Sequence, residues 1–242
     1  MTLIDKRDLA LLKEKFTDGA LEAAIKRVQD GEPLAYVLGE WYFYGLTFKL
    51  NSACLIPRPD TEHVVEAAID TLENGGCFID LCTGSGCIAV SVLKNRPDLT
   101  AYALELSAEA LEMAKVNAKE NGVSDRITFI NADVFRFDPM TLPRLDAVIS
   151  NPPYIKSAVV PTLEVSKSEP KMALDGGSDG LDFYRHIISA YKGVLKENGS
   201  FIFEIGYDQG SDLLALSELN GLSCDIRKDY GGNDRVISAH LV

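Results

Sequence analysis

The sequence predicts an α/β fold with one mostly parallel sheet of seven strands, the last two of which form an antiparallel hairpin. From residue 61 onward, short apolar runs rich in β-branched residues alternate with stretches of helical periodicity. Nearly continuous apolar strands are typical of a parallel sheet covered on both faces by helices. The final two strands flank the short turn Tyr230-Gly231-Gly232-Asn233, which favours antiparallel pairing.

The residues before this alternating pattern predict a smaller region. Residues 9–29 have helical spacing that is interrupted near Asp18-Gly19, which predicts two short helices. Residues 41–43 and 46–50 flank a turn and predict an aromatic β-hairpin, whose rings we expect to pack in a core. We therefore expect residues 1–55 to form a reduced N-terminal region and residues 56–242 to form the α/β domain.

The α/β domain can be divided into elements by the same patterns. Helices are predicted over 61–72, 86–95, 108–121, 181–196 and 208–219, and strands over 77–81, 100–105, 127–131, 145–150, 200–205, 223–228 and 235–241. Ser107 is the expected N-cap of the helix that begins at 108, and Gly122 should follow its C-terminus. Residues 156–180 are rich in Ser, Pro and Gly and predict a long loop at a strand end, where binding sites are usually shaped.

Composition excludes several classes of function. The chain of 242 residues carries a net charge of -12, which argues against binding nucleic acid through the whole surface, so no direct nucleic-acid partner is expected. Five cysteines without a Cys-x-x-Cys pair, and three histidines distant from them, predict neither a zinc site nor a disulfide framework. Residues 1–16 lack the apolar run of a signal peptide, and no later run reaches membrane-spanning length, so we expect a cytoplasmic protein without a membrane partner.

A glycine-rich loop follows the first predicted strand of the α/β domain. Its residues are Cys82, Thr83, Gly84, Ser85 and Gly86. With Ala89 the loop satisfies G-x-G-x-x-A, and Glu105 ends the next strand nineteen residues past Gly86. A dinucleotide-binding enzyme would show the same arrangement. The pyrophosphate would lie at the helix N-terminus, and the acidic side chain would hydrogen-bond a ribose. The motif alone therefore indicates only a ligand that carries a ribose.

Two acidic residues favour S-adenosylmethionine over a dinucleotide. Asp80 lies at the strand end before the loop, where a carboxylate would repel pyrophosphate but could organise the loop or accept from the ammonium of a methionine moiety. Asp133-Val134 follows the third strand and could accept from an adenine amino group. The alternatives are that Asp80 only caps the loop and that Asp133 only solvates a strand end.

The segment Asn151-Pro152-Pro153-Tyr154 follows the strand predicted over 145–150. Each proline fixes φ and removes a backbone donor, so the segment should be a stiff extended turn. Such a turn can aim an amide and an aromatic ring at one small planar group, with the Asn151 and Pro152 carbonyls left to accept hydrogen bonds from an NH₂ group. The alternative is that the two prolines merely end the strand.

Taken together, these residues resemble class I methyltransferases that modify a planar amino or amide nitrogen. Further segments are similar to the release-factor glutamine methyltransferases, the PrmC/HemK family. They are Pro33-Leu34-Ala35-Tyr36, Leu55-Ile56-Pro57-Arg58-Pro59-Asp60-Thr61-Glu62, Glu169-Pro170, Leu174-Asp175-Gly176-Gly177, Asp179-Gly180-Leu181 and Glu204-Ile205-Gly206. The resemblance runs from about residue 30 to the C-terminus and implies a Rossmann-like methyltransferase fold.

The resemblance implies that S-adenosylmethionine donates a methyl group, leaving S-adenosylhomocysteine, to the glutamine of the Gly-Gly-Gln loop of peptide chain release factors. Asn151, Pro152 and Tyr154 are the expected catalytic residues, and with Pro153 they are expected to hold the substrate amide. The expected cofactor contacts are Asp80, Cys82, Thr83, Gly84, Ser85, Gly86, Glu105, Asp133, Val134 and Asn151. No metal is expected.

Three points stay open at the level of sequence. The same four-residue turn could clamp a flipped adenine, which makes an adenine methyltransferase of DNA or RNA the alternative enzyme. A cofactor-binding module without catalysis is a second alternative. Many relatives carry an aromatic residue at the position of Val134. They also begin with a multi-helix domain, whereas this chain has about thirty residues before Pro33, so we expect a reduced surface for docking the release factor.

Overall fold

The computed structural model describes residues 4–241 and shows an α/β fold with a short N-terminal region. The helices are α1 Lys6–Lys15, α2 Asp18–Gln29, α3 Leu34–Leu38, α4 Glu62–Thr71, α5 Cys87–Asn95, α6 Ala108–Glu120, α7 Asp182–Tyr191 and α8 Gly210–Leu219. The strands are β1 Glu40–Phe43, β2 Leu46–Lys49, β3 Cys77–Leu81, β4 Thr100–Glu105, β5 Ile127–Asn131, β6 Leu145–Ser150, β7 Leu195–Glu204, β8 Leu222–Lys228 and β9 Asp234–Leu241. Among the described residues, no helix is both long enough and apolar enough to cross a bilayer.

Seven of these strands form one sheet in the order β5-β4-β3-β6-β7-β9-β8. The five strands from β5 to β7 pair in parallel, and β9 pairs antiparallel with both β7 and β8. The predicted fold class is confirmed. Because the chain moves outward from β3 in one direction and then returns to β6 on the other side, a crevice opens at the carboxyl ends of these strands.

Helices cover both faces of the sheet, as the apolar strands require. Phe78 and Ile79, adjacent in β3, are fully buried and point to opposite faces. Phe78 belongs to a core cluster with residues of α4 and α5, whereas Ile79 packs in a cluster with residues of α7. The centre of the sheet is therefore buried on both faces, and the carboxyl ends of its strands are left open to a ligand.

The N-terminal region packs around a separate apolar cluster. Its buried residues come from α1, α2 and α3, and they are Leu12, Ala24, Val37 and Leu38. The aromatic hairpin of β1 and β2 is confirmed: Phe43 and Phe48 are buried and join the core cluster of α4 and α5, whereas Tyr42 is exposed. Helix α3 was not predicted, because its five residues are too few to show helical periodicity.

The predicted end of one helix is wrong. The helix predicted over 181–196 ends at Tyr191, because a 3-10 turn follows and Leu195 then pairs with Leu145 as the first residue of β7. Asn198 adopts a φ of 66°, which lets the chain turn before β7 resumes its pairing at Ser200. The break between the first two helices falls at Phe16 and Thr17, next to the predicted Asp18-Gly19, and Asp18 begins α2 with a φ of 50°.

Candidate active site

A cavity of about 360 Å³ opens at the carboxyl ends of β3, β4, β5 and β6. This volume is in the range of pockets that hold small organic ligands. Several of the residues predicted to bind cofactor or substrate lie in its wall, namely Cys82, Gly84, Glu105, Asp133, Val134, Asn151 and Pro153. The fold thus brings together residues that span about 70 positions of the sequence.

The glycine-rich loop turns tightly between β3 and α5. Cys82 has a φ of 58°, a left-handed conformation that is uncommon for residues with a side chain. Gly86 caps α5 with a φ of 80°, and a Cβ there would lie 3.1 Å from Cβ of Ala114, so glycine suits both the backbone conformation and the close approach of α6. Thr83 and Ser85 face a smaller cavity of about 40 Å³, which Asn151 also lines.

Asp80 is fully buried behind this loop. Its Oδ2 accepts hydrogen bonds from Thr83 Oγ1 at 2.5 Å and from the backbone N–H of Ala89 at 3.2 Å. Its Oδ1 has no hydrogen-bond partner among residues 4–241. Burial raises the pKa of Asp80 to about 7, although both hydrogen bonds lower it. These contacts suit the loop-organising role that the sequence analysis considered, and Oδ1 remains an acceptor without a donor.

Glu105 ends β4 and is held by two backbone amides. Its Oε2 accepts from the N–H of Gly84 and its Oε1 from the N–H of Ser107, both at 2.9 Å. The carboxylate therefore ties the glycine-rich loop to the start of α6, where Ser107 also caps the helix by accepting from the N–H of Ala110. A carboxylate fixed in this way at a cavity wall can accept further hydrogen bonds from hydroxyl groups.

The far end of the cavity is apolar and aromatic. Val134 is buried, and its carbonyl is 2.8 Å from Nε2 of His186. The rings of Phe135 and Phe183 also line the cavity and pack edge to face, with centroids 4.8 Å apart. Asp133 accepts from the N–H of Phe135 at 3.0 Å, which restrains the backbone that carries this ring. Neither phenylalanine was singled out in the sequence analysis, although Phe135 directly follows the predicted pair Asp133-Val134.

The segment Asn151–Tyr154 follows β6 as an irregular extended stretch with both prolines buried. Asn151 Nδ2 donates to Thr61 Oγ1 at 3.1 Å, and the Tyr154 hydroxyl donates to Glu204 Oε1 at 3.1 Å. Burial, and then the nearby carboxylate of Glu204, raises the pKa of Tyr154. Within the described part of the chain, nothing donates a hydrogen bond to Asn151 Oδ1 or to the Pro152 carbonyl. Acceptor groups are therefore left over at this turn.

A second cavity of about 170 Å³ lies on the other side of Asn151. It shares Leu55, Asn151 and Ala173 with the larger cavity, and it is also lined by Arg58, Tyr154 and Glu204. Asn151 thus stands in the walls of both cavities. A ligand in one and a ligand in the other would come together at its side chain.

The loop over residues 156–180 folds back on the segment Asn151–Tyr154. The N–H of Ile155 donates to the Leu174 carbonyl at 2.9 Å, and the N–H of Gly176 donates back to the Ile155 carbonyl at 2.8 Å. A Cβ on Gly180 would lie 2.4 Å from the Tyr154 carbonyl oxygen, so only glycine permits this approach.

The same loop is fastened to the segment before α4 by a buried acid. Glu169 is 7% exposed, pairs with the Arg58 guanidinium, and accepts from the N–H of Ile56 at 3.0 Å. The two segments that border the second cavity are therefore held to each other. Their sequence motifs, Pro57-Arg58-Pro59 and Glu169-Pro170, were noted in the sequence analysis without assigned roles.

The chain is similar in sequence to known methyltransferases. Residues 62–167 match the family model described as methyltransferase small domain. Two relatives are called release factor glutamine methyltransferase. The relative from Nitratidesulfovibrio vulgaris is 41% identical over 222 residues, covering 89% of this chain and 75% of the relative. The relative from Moorella thermoacetica is 39% identical, covering 99% of this chain and 87% of the relative.

Solved structures resemble the fold at lower identity. The hMettl16 catalytic domain, solved in complex with the MAT2A 3′UTR hairpin 6, superposes with a TM-score of 0.64 at 19% identity, covering 82% of this chain and 76% of that one. A ribosomal protein L11 methylase from Lactobacillus delbrueckii subsp. bulgaricus gives a TM-score of 0.55 at 17% identity, covering 76% and 81%.

The sheet order and the cavity at its carboxyl edge define an S-adenosylmethionine-dependent methyltransferase of class I. Within that class, identities near 40% over most of both chains decide the family. The chain belongs to the release factor glutamine methyltransferases.

Proposed function

We propose that the protein transfers a methyl group from S-adenosylmethionine to the side-chain nitrogen of the glutamine in the Gly-Gly-Gln motif of peptide chain release factors. The names of the relatives support the substrate class. The observation that carries the proposal is the place of Asn151 between the two cavities. A cofactor in the larger cavity and an amide in the smaller one would meet at this residue.

The residues present fit S-adenosylmethionine in the larger cavity. Glu105 offers a fixed carboxylate for ribose hydroxyls, and Asp133 offers an acceptor near the apolar end, where Phe135 and Phe183 can contact an adenine. Asp80 Oδ1 is a buried acceptor behind the glycine-rich loop, and this loop would face the methionine end of S-adenosylmethionine. We assign cofactor binding to Asp80, Cys82, Thr83, Gly84, Ser85, Gly86, Glu105, Asp133, Val134 and Asn151.

When bound, S-adenosylmethionine supplies an electrophilic methyl group on a positively charged sulfur. The acceptor is an amide nitrogen, which is a poor nucleophile because its lone pair is delocalised into the carbonyl. Asn151 Oδ1 and the Pro152 carbonyl would accept the two N–H bonds of that amide, and Tyr154 would contact its plane, which turns the nitrogen lone pair toward the methyl group. Proximity and orientation are thus the main contribution of the protein.

Adenine methylation is the alternative that this turn leaves open in principle. A flipped base also presents an NH₂ group on a planar ring. We do not favour it, because the relatives that cover most of this chain are release factor glutamine methyltransferases.

Mass spectrometry of a release factor tests the proposal directly. Recombinant release factor is incubated with the protein and isotopically labelled S-adenosylmethionine, and the peptide that contains Gly-Gly-Gln is sequenced. We expect one labelled methyl group on the glutamine. Asn151→Ala should abolish the transfer while S-adenosylhomocysteine affinity stays within about tenfold, which corresponds to ~1.4 kcal/mol. Methylation of duplex DNA with no label on the release factor would overturn the substrate assignment.

A further inference from the structure

We propose that Glu204 and Thr61 are positioning residues that fix which end of the Asn151 side-chain amide faces the acceptor substrate. The inference deepens the proposed function and rests on it, because Asn151 is the residue assigned there to receive the acceptor amide. Neither Glu204 nor Thr61 needs to touch the substrate. Both act through the orientation of Asn151.

The side chains of Asn151, Thr61 and Glu204 form a hydrogen-bonded chain that joins distant elements, with Thr61 and Glu204 buried and Asn151 half-buried. Glu204 is the last residue of β7 and is 2% exposed, and Thr61, just before α4, is also 2% exposed. Thr61 Oγ1 lies 2.5 Å from Glu204 Oε2 and 3.1 Å from Asn151 Nδ2. The other oxygen of Glu204 accepts from the Tyr154 hydroxyl. Glu204 is thus linked to both ends of the segment Asn151–Tyr154, to Asn151 through Thr61 and to Tyr154 directly.

The direction of these hydrogen bonds follows from the charge of Glu204. An ionised carboxylate can only accept, so the single hydroxyl hydrogen of Thr61 must point to it. The Thr61 oxygen is then left to accept from Asn151, which must present its NH₂ group rather than its carbonyl. Asn151 Oδ1 is consequently turned away from Thr61, and within residues 4–241 no group donates to it. The carboxylate therefore specifies the orientation of an amide that it does not contact.

That orientation matters because the acceptor is itself an amide with two N–H donors. Asn151 Oδ1 can accept one of them, whereas a reversed amide would place its own N–H groups against those of the substrate. A buried donor without an acceptor costs free energy and misplaces the nitrogen that must attack. The proposed chain of hydrogen bonds therefore disfavours the reversed orientation of the Asn151 amide before the substrate binds.

The ionisation of Glu204 should appear in the pH dependence of turnover. Burial raises its pKa, whereas the hydrogen bonds from Thr61 and Tyr154 and the charge of Arg235 on β9 lower it. The other groups that face it are Asp60, the thiol of Cys87 and the hydroxyl of Tyr184, which donates to the Glu204 backbone carbonyl at 2.7 Å. Once protonated, Glu204 can donate to Thr61, and the orientation of Asn151 is no longer specified. Turnover should therefore fall as pH decreases through the raised pKa.

Four variants separate this role from simple packing. Thr61→Val removes the hydroxyl and keeps the shape, Thr61→Ser keeps the hydroxyl, and Glu204→Gln removes the charge. Ser91→Ala is the control, because Ser91 is fully buried on α5 and its hydroxyl has no hydrogen-bond partner in the described structure. Thermal melting establishes which variants fold, and if Thr61→Val does not, Glu204→Gln provides the test.

Steady-state methylation of release factor and calorimetry with S-adenosylhomocysteine are the measurements. We expect Thr61→Val and Glu204→Gln to lower kcat by about 10- to 100-fold, while cofactor affinity changes less than about threefold. Thr61→Ser should restore kcat to within about threefold of the parent, and Glu204→Gln should lose the acid limb of the pH profile. If the parent methylates release factor and Thr61→Val turns over as fast as Thr61→Ser, the inference is wrong although the proposed function stands.

A measurement without substrate distinguishes failure of this inference from failure of the proposed function. In protein labelled with ¹⁵N at asparagine, the Asn151 side-chain signal is assigned by its loss in Asn151→Ala. Hydrogen exchange of this NH₂ group should be slow in the parent and Thr61→Ser and faster in Thr61→Val. Equal exchange in all three proteins overturns the inference, whether or not the parent methylates any release factor.

Discussion

Asp80→Asn is expected to stabilise the ligand-free protein at pH 8 and to do so less at pH 5. The carboxyl group is fully buried, and burial raises its pKa from 3.8 to about 7. Between these values the folded state binds a proton that the unfolded state has lost, so the free energy of unfolding falls as pH rises. Asparagine keeps an acceptor for Thr83 and Ala89 but carries no charge.

The size of the effect follows from the difference between the two pKa values. The ionisable group should lower the stability of the parent relative to the variant by about 2 kcal/mol at pH 5 and by about 4 kcal/mol at pH 8. Urea denaturation of both proteins at a series of pH values measures this difference, and Asp212→Asn, on the exposed surface of α8, controls for the loss of a surface carboxylate. A difference between parent and Asp80→Asn that does not grow with pH would show that burial does not raise the pKa of Asp80.

Three further predictions concern the cavities and the loop. Glu105→Ala should weaken the binding of S-adenosylhomocysteine by roughly 1.5–3 kcal/mol, because charge-assisted hydrogen bonds are lost. An unchanged affinity in calorimetry would show that Glu105 does not bind the ligand. Phe183→Ala should weaken the same ligand by about 0.5–1.5 kcal/mol, whereas Phe183→Tyr should not, and equal affinities would exclude a role for the ring. Glu169→Gln should speed proteolytic cleavage within residues 156–180 by about tenfold, because the bond to Arg58 loses its charge; unchanged digestion kinetics would show that the pair does not hold the loop.

The strands were the most predictable part of the fold. The bounds of β3, β4, β5 and β6 are those that the sequence predicts, because buried parallel strands are short apolar runs with polar residues at their ends. Helix ends were less predictable. Whether the chain leaves α7 at Tyr191 or continues to 196 depends on the pairing of Leu195 with β6, and such a tertiary contact leaves no local pattern.

The same distinction applies to the candidate site. Glu105 and Asp133 could be identified because each follows a recognisable strand, and the structure places both in the wall of the larger cavity. Glu204 also ends an apolar strand, which is the signal that could have pointed to it. The hydrogen-bond partners of Glu204 could not be inferred, because the order of strands in the sheet decides which strand ends become neighbours. Local periodicity does not determine this order.

The buried chain from Asn151 through Thr61 to Glu204 also bears on how the protein matures during synthesis. Thr61 and Glu204 are 143 residues apart in sequence, and Ile56 and Glu169 are 113 apart. Contacts across such long loops are slow to form, since chain entropy must be lost before they can contribute stability. Because translation proceeds from the N-terminus, the glycine-rich loop can leave the ribosome long before Glu204 is synthesised. A nascent chain that ends before β7 therefore contains Asn151 but lacks Glu204, so the hydrogen bonds that we propose orient Asn151 can form only after most of the polypeptide has been synthesised.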